Sequence, residues 1–442
     1  MKKIREMSES DFLKGFFLLL SLFFVLAAFF MPDRETMLSG LWQIWSQPAK
    51  ISTNDFALGG FAATFLNMGL VGLCFWALFV ALKATANNVS TLGFILTVGF
   101  GSWGITVVNI WPTILGVVVY CLIKKEKLGA NVNAMMFSTG IAPIISDMLI
   151  RYPHAEVVGF NAVGVVLAVL VGIFIGATMP AGLGHAPNVH KGMNLYSAAV
   201  PVCFTAFFLN ATLYKTMGIA LPAVDSDLSV ASTPIANIFC VTLFALCIAG
   251  ALAMGCKPKD YLVLLKSQDH VASVSGKMGN SVMLMNVGVY GLFILAYYNL
   301  IGATFNGITF GIVFCMLCTC NSGSHPGNVW PIMLGYLAAS TVFGWFSALA
   351  GGSYAMAINA QAICVGLCYA NGLSPIVSKY GWAHGMLAAV MHFLLVTSVP
   401  NMHGGFCLYN GGFTAAAICL LLVPQLERFC KTKAERKALR SK

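Results

Sequence analysis

An eight-residue phrase occurs twice in this chain, as Asn109-Ile-Trp-Pro-Thr-Ile-Leu-Gly116 and as Asn328-Val-Trp-Pro-Ile-Met-Leu-Gly335. Five of the eight positions are identical. The displacement that carries Asn109 onto Asn328 also carries Asn67, Gly69, Gly72 and Leu73 onto Asn286, Gly288, Gly291 and Leu292. Two matches in one register mean duplication: whatever the first half folds into, the second half folds into again. In a membrane chain such repeats are a common way of building a solute site near mid-bilayer.

Composition makes this a membrane chain. Charged residues are 9% of the sequence and hydrophobic residues 58%, and mean hydropathy is +0.83. A soluble domain carries about 25% charge, so lipid must solvate the apolar surface that no single core can hide. The formal net charge of +10 sits in short basic clusters between apolar runs, the pattern of cytoplasmic loops and not of a nucleic-acid binder. The 14 Cys are scattered through apolar stretches as buried small hydrophobes. Lys2, Lys3 and Arg5 precede an apolar run to Met31 with no small-residue cleavage site after it, which reads as a retained first span.

Apolar stretches predict ten spans: 14–31, 57–83, 130–150, 157–178, 193–213, 233–254, 280–301, 354–371, 381–399 and 402–424. Regions 91–123 and 305–343 are interrupted by Gly99-Phe-Gly-Ser-Trp-Gly104 and by Asn321-Ser-Gly-Ser-His-Pro-Gly-Asn328. Each reads as two arms of roughly 14 residues, too short alone for a bilayer that takes about 20. Lys83 precedes the first interrupted region and Lys124, Lys125 and Lys127 follow it. The positive-inside rule therefore puts both its ends in the cytoplasm and makes it a re-entrant hairpin. The same count puts Arg151 to His154 and the Asp225-Ser-Asp227 loop outside, and Lys191, Lys257, Lys259, Lys266, Lys277, Lys379 and the tail to Lys442 inside.

The expected fold is all-α integral membrane, with about ten transmembrane helices and two re-entrant hairpins. Each repeat holds five spans and one hairpin, and the odd number inverts the second. Residues 1–230 form the first repeat, 231–425 the second and 426–442 a basic cytoplasmic tail. Met37 to Trp45 and Asp260 to Lys266 read as short interfacial helices. Two further matches have other displacements: His190 to Tyr196 with His403 to Tyr409, and Pro143 to Ser146 with Pro375 to Ser378.

The hairpin tips are the expected substrate site, through Ser102 and Asn109 in the first half and Asn321, Ser322, Ser324, His325 and Asn328 in the second. Glycines there free backbone groups that need partners at membrane depth. Pro112 and Pro331 are expected to restart a helix whose positive end faces the tip, a geometry suited to anions and carbonyls. Asn67 and Asn286 line a pore or glue the hairpins to a neighbouring span. The two His and Tyr pairs read as interfacial anchors with solvated His. Cys315, Cys318, Cys320 and His325 have metal-ligand types, but the first half repeats none of them, so no metal is assigned. Asp147 and Arg151 read as an i, i+4 pair. There is no nucleotide loop and no nucleophile with its base, so neither catalytic residue nor cofactor is assigned.

With the Asn-x-Trp-Pro-x-x-Leu-Gly phrase, its length and its hydropathy, the chain resembles a family of bacterial multi-pass membrane proteins, a domain of unknown function. That resemblance implies a bacterial cytoplasmic membrane and no particular substrate. The architecture is similar to inverted-repeat transporters and to urea channels, although the urea-channel pattern Leu-Pro-x-x-Thr-x-Pro-Phe is absent. The expected function is transport of a small polar or anionic solute by alternating access, with both termini cytoplasmic. A passive channel and a non-transporting scaffold are the alternatives. The coupling ion and any homo-oligomer stay open.

Overall fold

The computed structural model describes residues 7–224, 226–267 and 273–441, so Lys2, Lys3, Arg5, Asp225 and Lys442 lie outside the described residues. Among those described there is no strand. The helices of the first half are α1 (Glu9–Ala28), α2 (Met37–Trp45), α3 (Asp55–Ala81), α4 (Asn88–Phe100), α5 (Trp111–Lys124), α6 (Val132–Ser138), α7 (Ala142–Ile150), α8 (Ala162–His190) and α9 (Ala199–Leu209). Those of the second are α10 (Thr233–Ala253), α11 (Pro258–Lys266), α12 (Val274–Met278), α13 (Asn280–Leu300), α14 (Gly307–Leu317), α15 (Pro326–Leu349), α16 (Gln361–Ala370), α17 (Ser374–Tyr380), α18 (Trp382–Val396) and α19 (Asn410–Phe429). A last helix, α20 (Lys433–Arg440), follows.

Eight helical stretches among the described residues are long and apolar enough to cross a membrane, fewer than the ten spans expected. The stretch at 193–213 is α9 running into a π-helical turn, Asn210–Thr216. Those at 354–371 and 381–399 hold shorter helices, the 10-residue α16 and the 15-residue α18, with the short α17 between them. The second interrupted region also departs from expectation: α4 and α5 have 13 and 14 residues, but α15 has 24 and is one of the eight. It begins at Pro326, leaving Pro331 inside the helix, because Asn328 accepts the His325 backbone N–H at 3.0 Å and so starts the helix before the repeated phrase.

The duplication is visible bond by bond. Asn87 and Asn306, related by the same displacement as Asn109 and Asn328, both cap the first arm of their interrupted regions. Gly60 and Gly279, another such pair, both kink the chain, at φ of 85° and 97°, a region that glycine alone enters freely. At Gly60 the kink exposes the N–H groups of Phe61 and Ala62, which the Asp33 carboxylate accepts at 2.6 and 3.0 Å.

Helices α4 and α14 lie side by side and antiparallel. The Ser102 hydroxyl, past the end of α4, donates to the Gly307 carbonyl at 2.7 Å at the start of α14. Asn321, past the end of α14, donates to the Thr91 hydroxyl at 3.0 Å near the start of α4. The pair approaches this closely because Gly99 faces Gly311: a Cβ at Gly311 would stand 2.5 Å from the Gly99 carbonyl and 2.4 Å from the Ser102 hydroxyl. Phe24, Phe65, Phe239, Phe310 and Phe314 fill the space beside them with rings 4.7–6.3 Å apart.

Candidate functional site

The polar residues of the two breaks are mostly spent on backbone. Asn67 donates to the carbonyls of Gly101 and Ile105 at 2.7 and 2.8 Å, and Asn286 to those of Cys320 and Ser324, both at 2.9 Å. The displacement that relates the two asparagines also relates Gly101 to Cys320 and Ile105 to Ser324. Each amide oxygen is held by an aromatic from the short preceding helix, Trp45 at 3.0 Å and Tyr261 at 3.2 Å. Asn109 and Asn328 repeat the device within the break, donating to Gly104 and Gly323 carbonyls at 2.9 and 2.8 Å. These four buried amides therefore satisfy carbonyls that helix interruption left free, a requirement in an apolar interior.

Of the other expected site residues, Ser102 bonds the Gly99 and Gly307 carbonyls, Ser324 meets the Ser374 hydroxyl at 3.2 Å, and Asn321 also accepts the Ser275 N–H at 2.9 Å. His325 shares a ring nitrogen with Asn328 at 3.1 Å and leaves Nδ1 without a partner. The two breaks do not meet, since each lies against the opposite end of the α4 and α14 pair. Ser322 alone of these residues lines the cavity described next.

That cavity holds about 460 Å³. Its walls are the start of α4 with Asn88 and Leu92, Asn131 just before α6 with Asn133 and Phe137 on α6, the end of α8 from Pro180 to His190, and Asn194, Ser197 and Ser322. His190 and Ser197 are bonded at 2.6 Å, while the Asn133 amide oxygen is buried with no partner. A second cavity of about 550 Å³ shares Ala130 and Asn133 with the first and is lined by Lys83 and Lys127. Among the described residues no carboxylate lines either one. The first has the size and mixed lining of a small-molecule pocket.

The repeated His and Tyr segments are not solvated anchors. His190, Tyr196, His403 and Tyr409 are all buried, because each segment crosses to the opposite half and packs on a helix break. Leu195 donates its N–H to the Gly372 carbonyl at 3.0 Å, and Leu408 to the Gly140 carbonyl at 2.9 Å. Tyr196 and Tyr409 lie on those glycines, where a Cβ would come within 2.5 and 2.1 Å of the rings. The pairs differ in one respect: the Tyr196 hydroxyl meets Asn371 Oδ1 at 2.8 Å and the Cys315 carbonyl at 2.9 Å, while that of Tyr409 has no partner.

Asp147 and Arg151 form the expected i, i+4 pair, bidentate at 2.6 and 2.7 Å, and the Tyr214 hydroxyl donates to the same carboxylate at 2.6 Å. Burial pushes nearby Lys50 below its ordinary pKa, an effect that Asp147 opposes and Arg151 reinforces. Cys315, Cys318 and Cys320 are buried, and among the described residues no three His, Cys, Asp or Glu gather to hold a metal.

Apolar helices of this length, with polar side chains turned inward onto interrupted backbone, define a multi-pass α-helical membrane protein. The chain belongs to DUF1576, a family of proteins of unknown function, which matches residues 33–217 and 258–428. The two matched segments fall one in each half of the duplication. No curated protein and no solved structure matches it.

Proposed function

We propose that the protein is a transporter for a small polar or anionic solute, working by alternating access, with its solute site in the cavity beneath Ser322. The observation that carries this reading is the cavity itself: about 460 Å³, bordered by a helix break and adjoining, through Ala130 and Asn133, a second pocket lined by Lys83 and Lys127. An adjoining basic pocket, with no carboxylate among the described lining residues, concentrates anions and tolerates neutral polar solutes.

In this reading the two halves are inverted repeats, supported by the antiparallel contact of α4 and α14. Residues 88–124 form a re-entrant hairpin, and α14 with α15 forms its inverted counterpart, lengthened in the second arm. Lys83, Lys124, Lys127 and Lys191 mark the cytoplasmic face of a bacterial inner membrane, with both termini on that face. In this reading the cavity, which neighbours the Lys83 and Lys127 pocket, faces that basic side, an inward-open arrangement. On the opposite face, Asn54 bonds the carbonyls of Asp227 and Val230, and Lys50 that of Pro222, closing the outer loops.

Gly184 supplies the test, since it lines the cavity and a Cβ there meets nothing within 4 Å. Gly184→Trp is expected to fill the site without loss of thermal stability. Proteoliposome uptake of labelled monocarboxylates, phosphate and urea is then compared between wild type and variant. The expected result is one solute concentrated against its gradient by wild type and at least tenfold less by the variant. Uptake of every solute unchanged by Gly184→Trp would overturn the site, and equilibration without concentration would make the protein a passive channel.

A further inference from the structure

We propose that Asp55 binds a monovalent cation, a proton or Na⁺, beside the first helix break; as a coupling site it rests on the transport reading, but the binding itself does not. Asp55 is 1% exposed, and its Oδ2 has no hydrogen-bond partner. Two other segments converge on it. Its backbone N–H reaches the Ser102 carbonyl at 3.4 Å, and Asn54 Oδ1 beside it accepts the Gly307 N–H at 2.8 Å.

The charged groups of the surrounding segments are engaged elsewhere. Asp33 accepts from Phe61 and Ala62, Lys50 donates to Pro222, Asp227 accepts from Ser229, and Asp147 pairs with Arg151. An ionised carboxylate in such a place carries a burial penalty that the start of a helix offsets only in part, so a neutralising cation is required.

The duplication supplies a control that a single copy lacks. The displacement that carries Gly60 onto Gly279 carries Asp55 onto Val274, which is also buried, at 4%, and likewise stands at the start of a helix before a kinking glycine. The fold therefore accepts an apolar side chain at this place, and a carboxyl in one copy alone is a local feature of that copy. Intramembrane acids of this kind mark ion and proton sites.

Two measurements on the purified full chain test the proposal. Thermal stability is followed against Na⁺, with choline holding ionic strength, and against pH from 8 to 5.5. Dicyclohexylcarbodiimide, which attacks protonated carboxyls in apolar surroundings, is followed by peptide mass spectrometry. A melting temperature that rises with Na⁺, with Na⁺ slowing modification of Asp55, assigns Na⁺. A melting temperature that rises as pH falls, with faster modification of Asp55 and no Na⁺ effect, assigns the proton. Asp55→Val, which copies the residue at the equivalent place in the second half, is expected to remove whichever dependence is found, and Asp55→Asn serves if the valine variant does not fold. A stability profile in Na⁺ and pH that is the same in wild type and variant, or flat in both, overturns the proposal. Loss of this site would leave the Gly184→Trp result standing, so the two readings fail separately.

Discussion

Tyr196 and Tyr409 occupy equivalent places in the two halves, yet removal of their hydroxyls is expected to have opposite effects. The Tyr196 hydroxyl lies 2.8 Å from Asn371 Oδ1, and the Asn371 amide nitrogen is already committed to the Met316 carbonyl, Tyr290 and Thr319. Tyr196→Phe therefore deletes one bond, worth about 1 kcal/mol net, and strands a buried amide oxygen at a further cost of about 1–3 kcal/mol. Tyr409→Phe removes a fully buried hydroxyl that has no partner. Its ring contact with Gly140 survives the change, and relief of the unpaired group is worth about 0–2 kcal/mol in the stabilising direction. The two variants should differ by about 2–6 kcal/mol. Unfolding in mixed dodecylmaltoside and SDS micelles, followed by far-UV circular dichroism, reads this difference. Equal destabilisation by the two changes, or a larger loss for Tyr409→Phe, would refute the reasoning.

Other outcomes follow from the same packing. Asn286→Leu strands the Cys320 and Ser324 carbonyls and should lower stability by about 1–4 kcal/mol in the same micelle assay, with Asn67→Leu costing a similar amount. Gly311→Ala drives a methyl group to within 2.5 Å of the Gly99 carbonyl, so α4 and α14 must separate. A loss of about 1–3 kcal/mol is expected, whereas Gly184→Ala, inside α8 with open space around it, should stabilise by up to about 1 kcal/mol. Arg151→Ala leaves Asp147 buried and unpaired and should cost about 3–5 kcal/mol, of which Asp147→Asn in the same chain restores a part.

The repeat was legible in the sequence because a duplicated hydrogen-bond device needs the same residue at the same displacement. Asn67 with Asn286, and Asn109 with Asn328, stand at the interrupted backbone for this reason. Their partners were not legible, since a sequence names donors without showing which carbonyls a break releases. Trp45 and Tyr261 were hidden for a related cause: both lie on short amphipathic helices, where an aromatic ring reads as an interfacial residue. The length of α15 was obscured by Pro331, a residue that ordinarily marks a helix start, whereas the true start is set by Asn328 accepting the N–H of His325. The buried His and Tyr segments resembled span ends because what buries each of them comes from the opposite half of the chain, which no local pattern reveals. The cavity is built from four distant stretches with few charged residues, so its lining was equally hidden. Asp55 stands just outside the apolar stretch 57–83, and only its unpartnered oxygen and the valine at the equivalent place distinguish it.

The inverted arrangement is tested most directly by sidedness. Single cysteines replacing the exposed residues Lys83, Lys124 and Ser229, each in a chain freed of its 14 native Cys, are labelled with an impermeant maleimide in spheroplasts and in inside-out vesicles. The expected result is that positions 83 and 124 react only in inside-out vesicles and position 229 only in spheroplasts. Labelling of positions 83 and 124 from opposite sides of the membrane would contradict the hairpin, and with it the inversion and the inward-open cavity.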